Sequence, residues 1–204
     1  MAENWKQAGL VLMRSAGQES NINLPNVLTL VRILLIPVFV TLLIDPTPDR
    51  ALAAAIVFVV AAVTDLLDGY VARKTGQITK LGRLLDPIAD KLLVLSALIL
   101  LVQVDRVSAL VAILIIAREV AVTGLRAIAA SEGMIMSAEV TGKYKMALQV
   151  IAIVLLVLEG TVVEAIGNLH LAGIVTLYLS LILGYVSGAQ YVWSFWRQVG
   201  AKGL

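Results

Sequence analysis

Four aspartates stand at fixed spacing within an otherwise apolar part of the chain. Together with two glycines, an alanine and an arginine they form the pattern Asp65-x-x-Asp68-Gly69-x-x-Ala72-Arg73, eight further residues, and Gly82-x-x-x-Asp86-x-x-x-Asp90. Ionisable side chains at membrane depth cost free energy, and they usually serve a function there. The pattern therefore predicts a divalent-metal site that handles phosphate.

The spacing allows the four carboxylates to meet. Asp65 and Asp68 are three residues apart, and Asp86 and Asp90 are four apart, so each pair shares one face of a helix. A loop of roughly 12 residues between the two helices would bring these faces together. Four adjacent carboxylates repel one another, and two divalent ions about 3.5–4 Å apart would remove that repulsion and hold a transferring phosphoryl group.

Parts of the pattern also have structural explanations. Asp86 could cap a helix whose first residue is Pro87, although capping leaves the other three acids unexplained. Gly69 and Ala72 leave room either for a ligand or for a neighbouring helix. Lys91 could pair with an acid, but one lysine cannot neutralise four.

Three residues near the acids suit a phosphate ligand. Arg73 carries a planar donor fork that matches phosphate oxygens. We expect Thr79 and Gly82 in the loop, where the backbone could approach a ligand closely.

The composition predicts an all-α, polytopic membrane protein. Of the 204 residues, 60% are hydrophobic and 15% are charged, and the mean hydropathy is +0.94. The chain has no cysteine and a single histidine, His170, so its metal ligands should be oxygens and the metal Mg²⁺, Mn²⁺ or Ca²⁺. No basic patch is interleaved with aromatic residues, which argues against nucleic acid as a partner.

Six apolar segments predict six transmembrane helices in one domain, residues 24–204. The segments cover residues 25–44, 51–73, 84–104, 107–130, 142–159 and 169–195. Residues 1–23 lack the apolar core and cleavage site of a signal peptide, and we expect a juxtamembrane segment there. A short interfacial helix could form there from Trp5, Leu10, Val11 and Met13, and the alternative is a terminus without regular structure.

The basic residues predict the orientation. Eleven of the 16 lie on or near one side and three lie within segments, whereas Arg50 and Arg106 lie opposite. Both termini and the 74–83 loop should therefore face the cytoplasm. At about 1.5 Å per residue, five ionisable residues fall roughly 16–22 Å from the outer face of a core about 30 Å thick. They are Arg32, Asp65, Asp90, Arg118 and Lys145.

This shared depth predicts a polar cavity that opens to the cytoplasmic leaflet. The alternative is that the charged groups are helix ends that extend to the membrane surface. That alternative explains Lys74 and Lys80, but an aspartate is too short to reach the surface in this way.

The pattern from Asp65 to Asp90 resembles the signature of the CDP-alcohol phosphatidyltransferase family at every position. Residues 23–32, which read NLPNVLTLVR, resemble the start of the family's first helix. Residues 81–91 (LGRLLDPIADK), 117–119 (ARE) and 141–145 (TGKYK) are most similar to its phosphatidylglycerophosphate synthase branch. The resemblance thus extends along most of the chain.

The resemblance implies an enzyme of phospholipid biosynthesis that moves a phosphatidyl group from CDP-diacylglycerol to an alcohol and releases CMP. It implies a six-helix homodimer with two Mg²⁺ or Mn²⁺ ions, and we expect it in the bacterial inner membrane with the active site facing the cytoplasm. By position in the signature, Asp65, Asp68, Asp86 and Asp90 would hold the metals, and Asp90 would also take the proton of the acceptor hydroxyl. The expected contacts with CDP-diacylglycerol are Asn26, Thr29, Arg32, Gly69, Ala72, Arg73, Thr79 and Gly82. No serine, histidine or cysteine is placed for a covalent intermediate, which favours direct attack.

Four cations on the fourth and fifth segments predict an anionic acceptor. They are Arg118, Arg126, Lys143 and Lys145. Glycerol 3-phosphate, which carries two charges at neutral pH, fits this charge and the branch resemblance, and the product would be phosphatidylglycerophosphate. Ordinary positive-inside bias could also explain the lysines, and a structural salt bridge to Glu119 could explain Arg118.

Two other functions compete with this interpretation. Within the same chemistry, the acceptor could be inositol phosphate or another alcohol. In a different class, intramembrane acids could serve a divalent-cation transporter, although the chain has no internal repeat and no broken helices in matching halves.

Overall fold

The computed structural model confirms the all-α class. It describes the backbone of residues 24–75, 80–134, 140–161, 163, 165 and 167–202, and the side chains of 27–65, 88, 89, 91–134, 141–161, 163, 165 and 167–200. Within these residues the chain forms six α-helices and no strand. The helices are α1 (Leu24–Leu43), α2 (Pro48–Thr75), α3 (Lys80–Gln103), α4 (Ala109–Ser131), α5 (Val140–Val157) and α6 (Leu169–Lys202). The interfacial helix predicted within residues 1–23 lies outside the described residues.

The first hairpin turns between Leu43 and Pro48, where residues 45–49 read DPTPD and two prolines and two aspartates disfavour a continuous helix. α2 begins at Pro48, a position where the missing backbone N–H costs little because that group has no partner inside the helix. Thr47 precedes it, and its carbonyl accepts a hydrogen bond from the Ala51 N–H at 2.8 Å. Asp49 lies in the first turn, where a negative charge stabilises the helix dipole.

The connection between α2 and α3 is shorter than the sequence predicted. α2 continues to Thr75 and α3 begins at Lys80, so the expected loop over residues 74–83 is wrong. Gly82 lies in the first turn of α3 rather than in a loop. Asp86 lies inside α3, so its interpretation as the cap before Pro87 is also wrong. Both errors have one cause: the length of an apolar segment is not the length of its helix, because lysine and arginine also favour helix and extend α2 and α3 beyond the apolar residues.

The C-terminal end of α4 forms a Schellman motif. Gly133 has a φ of 64°, in the left-handed region that glycine adopts without steric cost. The Met134 N–H bonds to the Ala129 carbonyl at 2.8 Å, and the Gly133 N–H bonds to the Ala130 carbonyl at 3.1 Å. The glycine therefore sets where α4 ends.

Arg106, in the turn between α3 and α4, caps the C-terminal end of α5. Its Nη1 donates to the carbonyl oxygens of Leu156 at 2.9 Å and Val157 at 3.0 Å, and its Nη2 donates to that of Glu159 at 2.8 Å. Terminal carbonyls have no partner within their own helix, so this guanidinium satisfies three acceptors at once. The Glu159 carboxylate also lies 3.0 Å from Nδ1 of His170. These contacts join two turns at the predicted outer end of the bundle.

Aromatic and aliphatic side chains fill the centre of the bundle. The rings of Phe39 on α1 and Phe58 on α2 are both fully buried, and their centroids lie 5.5 Å apart. α5 and α6 approach closely at Gly173, where an added Cβ would lie 2.6 Å from Cγ of Leu156. α1 packs against α2 and α3, and α6 packs against α4 and α5. This packing brings the polar halves of the helices into one bundle.

Many large apolar side chains remain exposed on the outer surface. Leu34, Leu110, Ile113 and Trp193 each have 60% or more of their surface exposed. Such a surface is typical of contact with lipid or another apolar partner. By length and composition, one helix of the described residues could cross a membrane, Leu169–Gly200, and two shorter apolar helices are Val27–Leu43 and Lys91–Gln103. The prediction of six spans is therefore not confirmed by helix composition.

Replacing Arg106 by alanine should lower the free energy of unfolding by about 1.5–3 kcal/mol, because three terminal carbonyls lose a charged donor. Thermal unfolding in one detergent measures this loss. Arg50→Ala is the matched control, since Arg50 is half-exposed and its Nη1 lies 3.5 Å from Asp45. The control should change stability by less than about 0.5 kcal/mol, and equal losses in the two variants would contradict a capping role for Arg106.

Candidate active site

A buried ion pair joins α1 to the first aspartate of the pattern. Arg32 is fully buried, and its Nη1 lies 2.7 Å from Oδ1 of Asp65, whose side chain is 21% exposed. Thr29, one turn before Arg32 on α1, is also fully buried. A buried arginine is costly unless a carboxylate lies beside it. The structure thus brings together two residues predicted to contact CDP-diacylglycerol and one predicted to hold metal.

The helical spacing relates the positions of the signature acids to buried positions of the same helices. Positions 65, 68 and 72 share the face of α2 that carries the buried Phe58 and Ala61, because residues three and four apart lie on one side of a helix. Positions 86 and 90 share the face of α3 that carries the buried Leu93 and Ala97. The backbone of both helices is thus continuous through the signature, and the meeting of the two acidic faces stays a prediction.

Several predicted site residues lie outside the part of the chain whose side chains are described. They are Asn26, Asp68, Gly69, Ala72, Arg73, Thr79, Gly82, Asp86 and Asp90. Among the described side chains there is no group of three histidine, cysteine, aspartate or glutamate residues that could hold a metal. Asp65 is the one signature acid within that set.

All four cations predicted to bind the acceptor line one cavity. It has a volume of about 260 Å³ and lies between α3, α4, α5 and α6. Its wall includes Arg118 and Arg126 from α4 and Lys143 and Lys145 from α5. The cations come from two different helices, and the fold brings them to a single space.

Glu119 holds three cations of this wall together. Its Oε1 accepts hydrogen bonds from Arg118 Nη1 at 3.0 Å and from Lys145 Nζ, and its Oε2 accepts from Lys91 Nζ at 3.0 Å. The Glu119 side chain is 13% exposed and that of Lys145 is 9% exposed. The salt bridge considered for Arg118 is therefore present, and it belongs to a larger cluster that joins α3, α4 and α5.

The sixth helix fixes this cluster from the other side. Arg118 Nε donates to the Gly184 carbonyl at 2.7 Å, and the Ser180 hydroxyl donates to the Lys145 carbonyl at 3.2 Å. Arg126 stacks on the Tyr191 ring, with its guanidinium carbon 4.2 Å from the centroid, and also hydrogen-bonds the Tyr191 hydroxyl. These contacts orient the arginine side chains before any ligand arrives.

Several residues of the cavity wall were not assigned to a site by the sequence analysis, although it considered ion pairs for Lys91 and Glu119. The unassigned residues are Lys91, Glu119, Gln149, Ser187 and Tyr191. Three carried a signal: Lys91 follows Asp90, Glu119 follows Arg118, and Gln149 lies one turn beyond Lys145 on the same face. Ser187 and Tyr191 carried none, because only the packing of α6 brings them to the cavity.

Comparisons with known proteins agree with the resemblance of the aspartate pattern. A family model described as CDP-alcohol phosphatidyltransferase matches residues 22–186. The chain is 41% identical over 187 residues to the CDP-diacylglycerol–glycerol-3-phosphate 3-phosphatidyltransferase of Bacillus subtilis (strain 168), an overlap that covers 86% of this chain and 96% of that protein.

Relatives from other bacteria also match this chain over most of its length. The protein of the same name from Rickettsia bellii (strain RML369-C) is 39% identical over 169 residues, covering 83% of this chain and 93% of the relative. A probable phosphatidylglycerophosphate synthase of Mycobacterium tuberculosis (strain ATCC 25618 / H37Rv) is 37% identical over 188 residues, covering 91% of this chain and 87% of the relative. The chain therefore belongs to the CDP-alcohol phosphatidyltransferase family.

Proposed function

We propose that this chain transfers the phosphatidyl group of CDP-diacylglycerol to sn-glycerol 3-phosphate, forming phosphatidylglycerophosphate and CMP. Family membership and the names of the relatives support the reaction class. The observation that carries the choice of acceptor is the cavity lined by Arg118, Arg126, Lys143 and Lys145. A serine or choline acceptor would need no such concentration of positive charge.

The acceptor would bind with its phosphate against the cations of this cavity. Arg118 and Arg126 are held by α6 through Gly184 and Tyr191, so little side-chain freedom is lost on binding. Lys91 also lines the cavity and follows Asp90 directly in the chain. An acceptor whose phosphate binds beside Lys91 would therefore have a hydroxyl near the expected metal-binding acids.

The lipid donor would bind between α1, α2 and α3. Arg32 and Thr29 would contact the CDP group from α1, and Gly69, Ala72 and Arg73 from α2. Support comes from the buried contact between Arg32 and Asp65. Asn26, Thr29 and Arg32 fall on one side of α1, since they are three residues apart. Thr79 and Gly82 complete the expected set of contacts.

The acidic faces of α2 and α3 fit a divalent-metal site. Carboxylate oxygens are the ligands that Mg²⁺ and Mn²⁺ prefer. We propose that Asp65, Asp68, Asp86 and Asp90 hold two such ions, and the spacing of three residues on α2 and four residues on α3 supports this assignment. When bound, the metal ions would screen the diphosphate and stabilise the charge on the departing CMP.

The reaction would be a direct displacement. The 1-hydroxyl oxygen of the acceptor attacks the phosphorus that bears diacylglycerol, and the bond from this phosphorus to the bridging oxygen breaks. CMP leaves with that oxygen and its electron pair, while the hydroxyl proton passes to the Asp90 carboxylate. Among the described residues that line the cavity, the two aliphatic hydroxyls are those of Thr123 and Ser187, and no histidine lines the cavity to act as their base.

We further propose that all six helices cross the bacterial inner membrane as one domain, residues 24–204. The exposed apolar side chains of α1, α4 and α6 support contact with lipid. The excess of basic residues at one end supports a cytoplasmic position for the active site and both termini. A homodimer, which the family resemblance implies, is part of the same proposal.

Purified protein should release CMP from CDP-diacylglycerol with glycerol 3-phosphate, and a chelator should abolish the release until Mg²⁺ or Mn²⁺ is restored. Asp90→Asn should lower turnover by about 10²–10⁴-fold, the contribution typical of a general base. Asp105→Asn is the matched control, because Asp105 lies in an outer turn with a φ of 57° that asparagine also tolerates. Release with inositol phosphate alone, or cation flux without lipid turnover, would refute the proposed reaction.

Arg118→Ala should raise the KM for glycerol 3-phosphate by roughly 10- to 100-fold, the range expected for losing hydrogen bonds between charged groups. The KM for CDP-diacylglycerol should change less than about twofold, because the lipid would bind on α1 to α3. Steady-state kinetics with each substrate varied in turn measures both values. Equal effects on the two substrates would contradict the assignment of Arg118 to the acceptor.

A further inference from the structure

Three cations from three helices converge on the single carboxylate of Glu119. Lys91 comes from α3, Arg118 from α4 and Lys145 from α5, and each donates to one of the two Glu119 oxygens. These contacts resemble those of an anion in its binding site, where charged donors from separate helices surround oxygen atoms that share one negative charge. Here the anion is part of the chain itself.

The same groups line the cavity in which the acceptor is proposed to bind. The wall carries five cations, Lys91, Arg118, Arg126, Lys143 and Lys145, against the one described carboxylate of Glu119. Two neutral polar groups of the wall are also buried, Gln149 at 2% and Ser187 at 0% exposure. Gln149 Nε2 and Ser187 Oγ have no hydrogen-bond partner among the described residues. Buried polar atoms without partners cost stability, so their persistence points to a polar ligand in this cavity.

We propose that Glu119 is an internal substitute for the acceptor phosphate. Its carboxylate holds Lys91, Arg118 and Lys145 in place before the acceptor binds, and the phosphate then takes these donors from it. Glu119 would thereby set the affinity and specificity of the site. The identity of the phosphate as that of the acceptor rests on the proposed function, whereas the exchange of one anion for another does not.

Charge explains why such a substitute is useful. Cations confined in a partly buried cavity repel one another strongly, and one carboxylate reduces that repulsion. A phosphate dianion carries more charge and more acceptor oxygens than a carboxylate, so it can replace Glu119 at the same donors. Phosphates abound in the cytoplasm, and an uncompensated group of five cations would bind them without discrimination. The competing carboxylate would keep weak anions out.

The test uses Glu119→Gln in the full-length protein in detergent, with inorganic phosphate as the probe and no lipid present. A ligand that binds the folded state raises the unfolding temperature according to its dissociation constant. Without phosphate, Glu119→Gln should unfold at a lower temperature than wild type, because the cations repel. With phosphate, the unfolding temperature of Glu119→Gln should rise by more than that of wild type. The dissociation constant of phosphate should fall about fivefold or more in the variant.

Two further variants define the outcome. Glu159→Gln is the matched control: its carboxylate also contacts two side chains, the Arg106 guanidinium and the His170 imidazole, but at the other end of the bundle. Its phosphate affinity should stay within twofold of wild type. Glu119→Asp keeps the charge on a shorter side chain, so it should tighten phosphate binding less than Glu119→Gln does. It also provides the comparison with wild type if Glu119→Gln does not fold.

Kinetics separates this proposal from a purely structural role. In Glu119→Gln, the KM for glycerol 3-phosphate and the inhibition constant of inorganic phosphate should fall together, while the KM for CDP-diacylglycerol stays within twofold. Lower stability with unchanged or weaker phosphate binding would overturn the proposal and leave Glu119 as a brace between helices. Tighter phosphate binding in a protein that does not use glycerol 3-phosphate would uphold the anion exchange and refute the proposed acceptor.

Discussion

The fold depends on the pairing of charges that the helices carry into an apolar interior. A buried arginine or lysine without a counter-charge would cost several kcal/mol, more than a small bundle can spare. Arg32 is paired with Asp65, and Glu119 gathers Lys91, Arg118 and Lys145. The first pair joins α1 to α2, and the second group joins α3, α4 and α5. Helix packing and site assembly therefore follow from the same ion pairs.

The two ends of the bundle use charge differently. At the predicted outer end, Arg106 donates to three carbonyls and thereby closes α5, a role that depends on its fixed donor fork. At the other end, cations outnumber the described acids of the cavity wall, and this imbalance remains available to an anionic ligand. One end thus uses arginine to cap a helix, whereas the other concentrates positive charge around one cavity.

The sixth helix completes the site although it carries none of the predicted site residues. It is the longest helix, spanning Leu169–Lys202, and it contacts the cluster through Gly184, Ser180 and Tyr191. Backbone and hydroxyl groups of α6 orient the arginines of α4 and the main chain of α5. A rigid apolar helix therefore organises a polar cavity, because side chains held by packing need less reordering when a ligand binds.

The sequence by itself determined the helical class, the turn between the first two apolar segments, the family and the cations that line one cavity, because these depend on residue type and on spacing within single helices. It did not reveal that α2 continues to Thr75 or that α3 begins at Lys80. The length of an apolar segment differs from the length of its helix when polar residues also favour helix. Only the tertiary structure decided the role of Glu119 at the centre of its cluster. Lys91 and Lys145 lie 28 and 26 residues from it, and no local pattern connects residues that far apart.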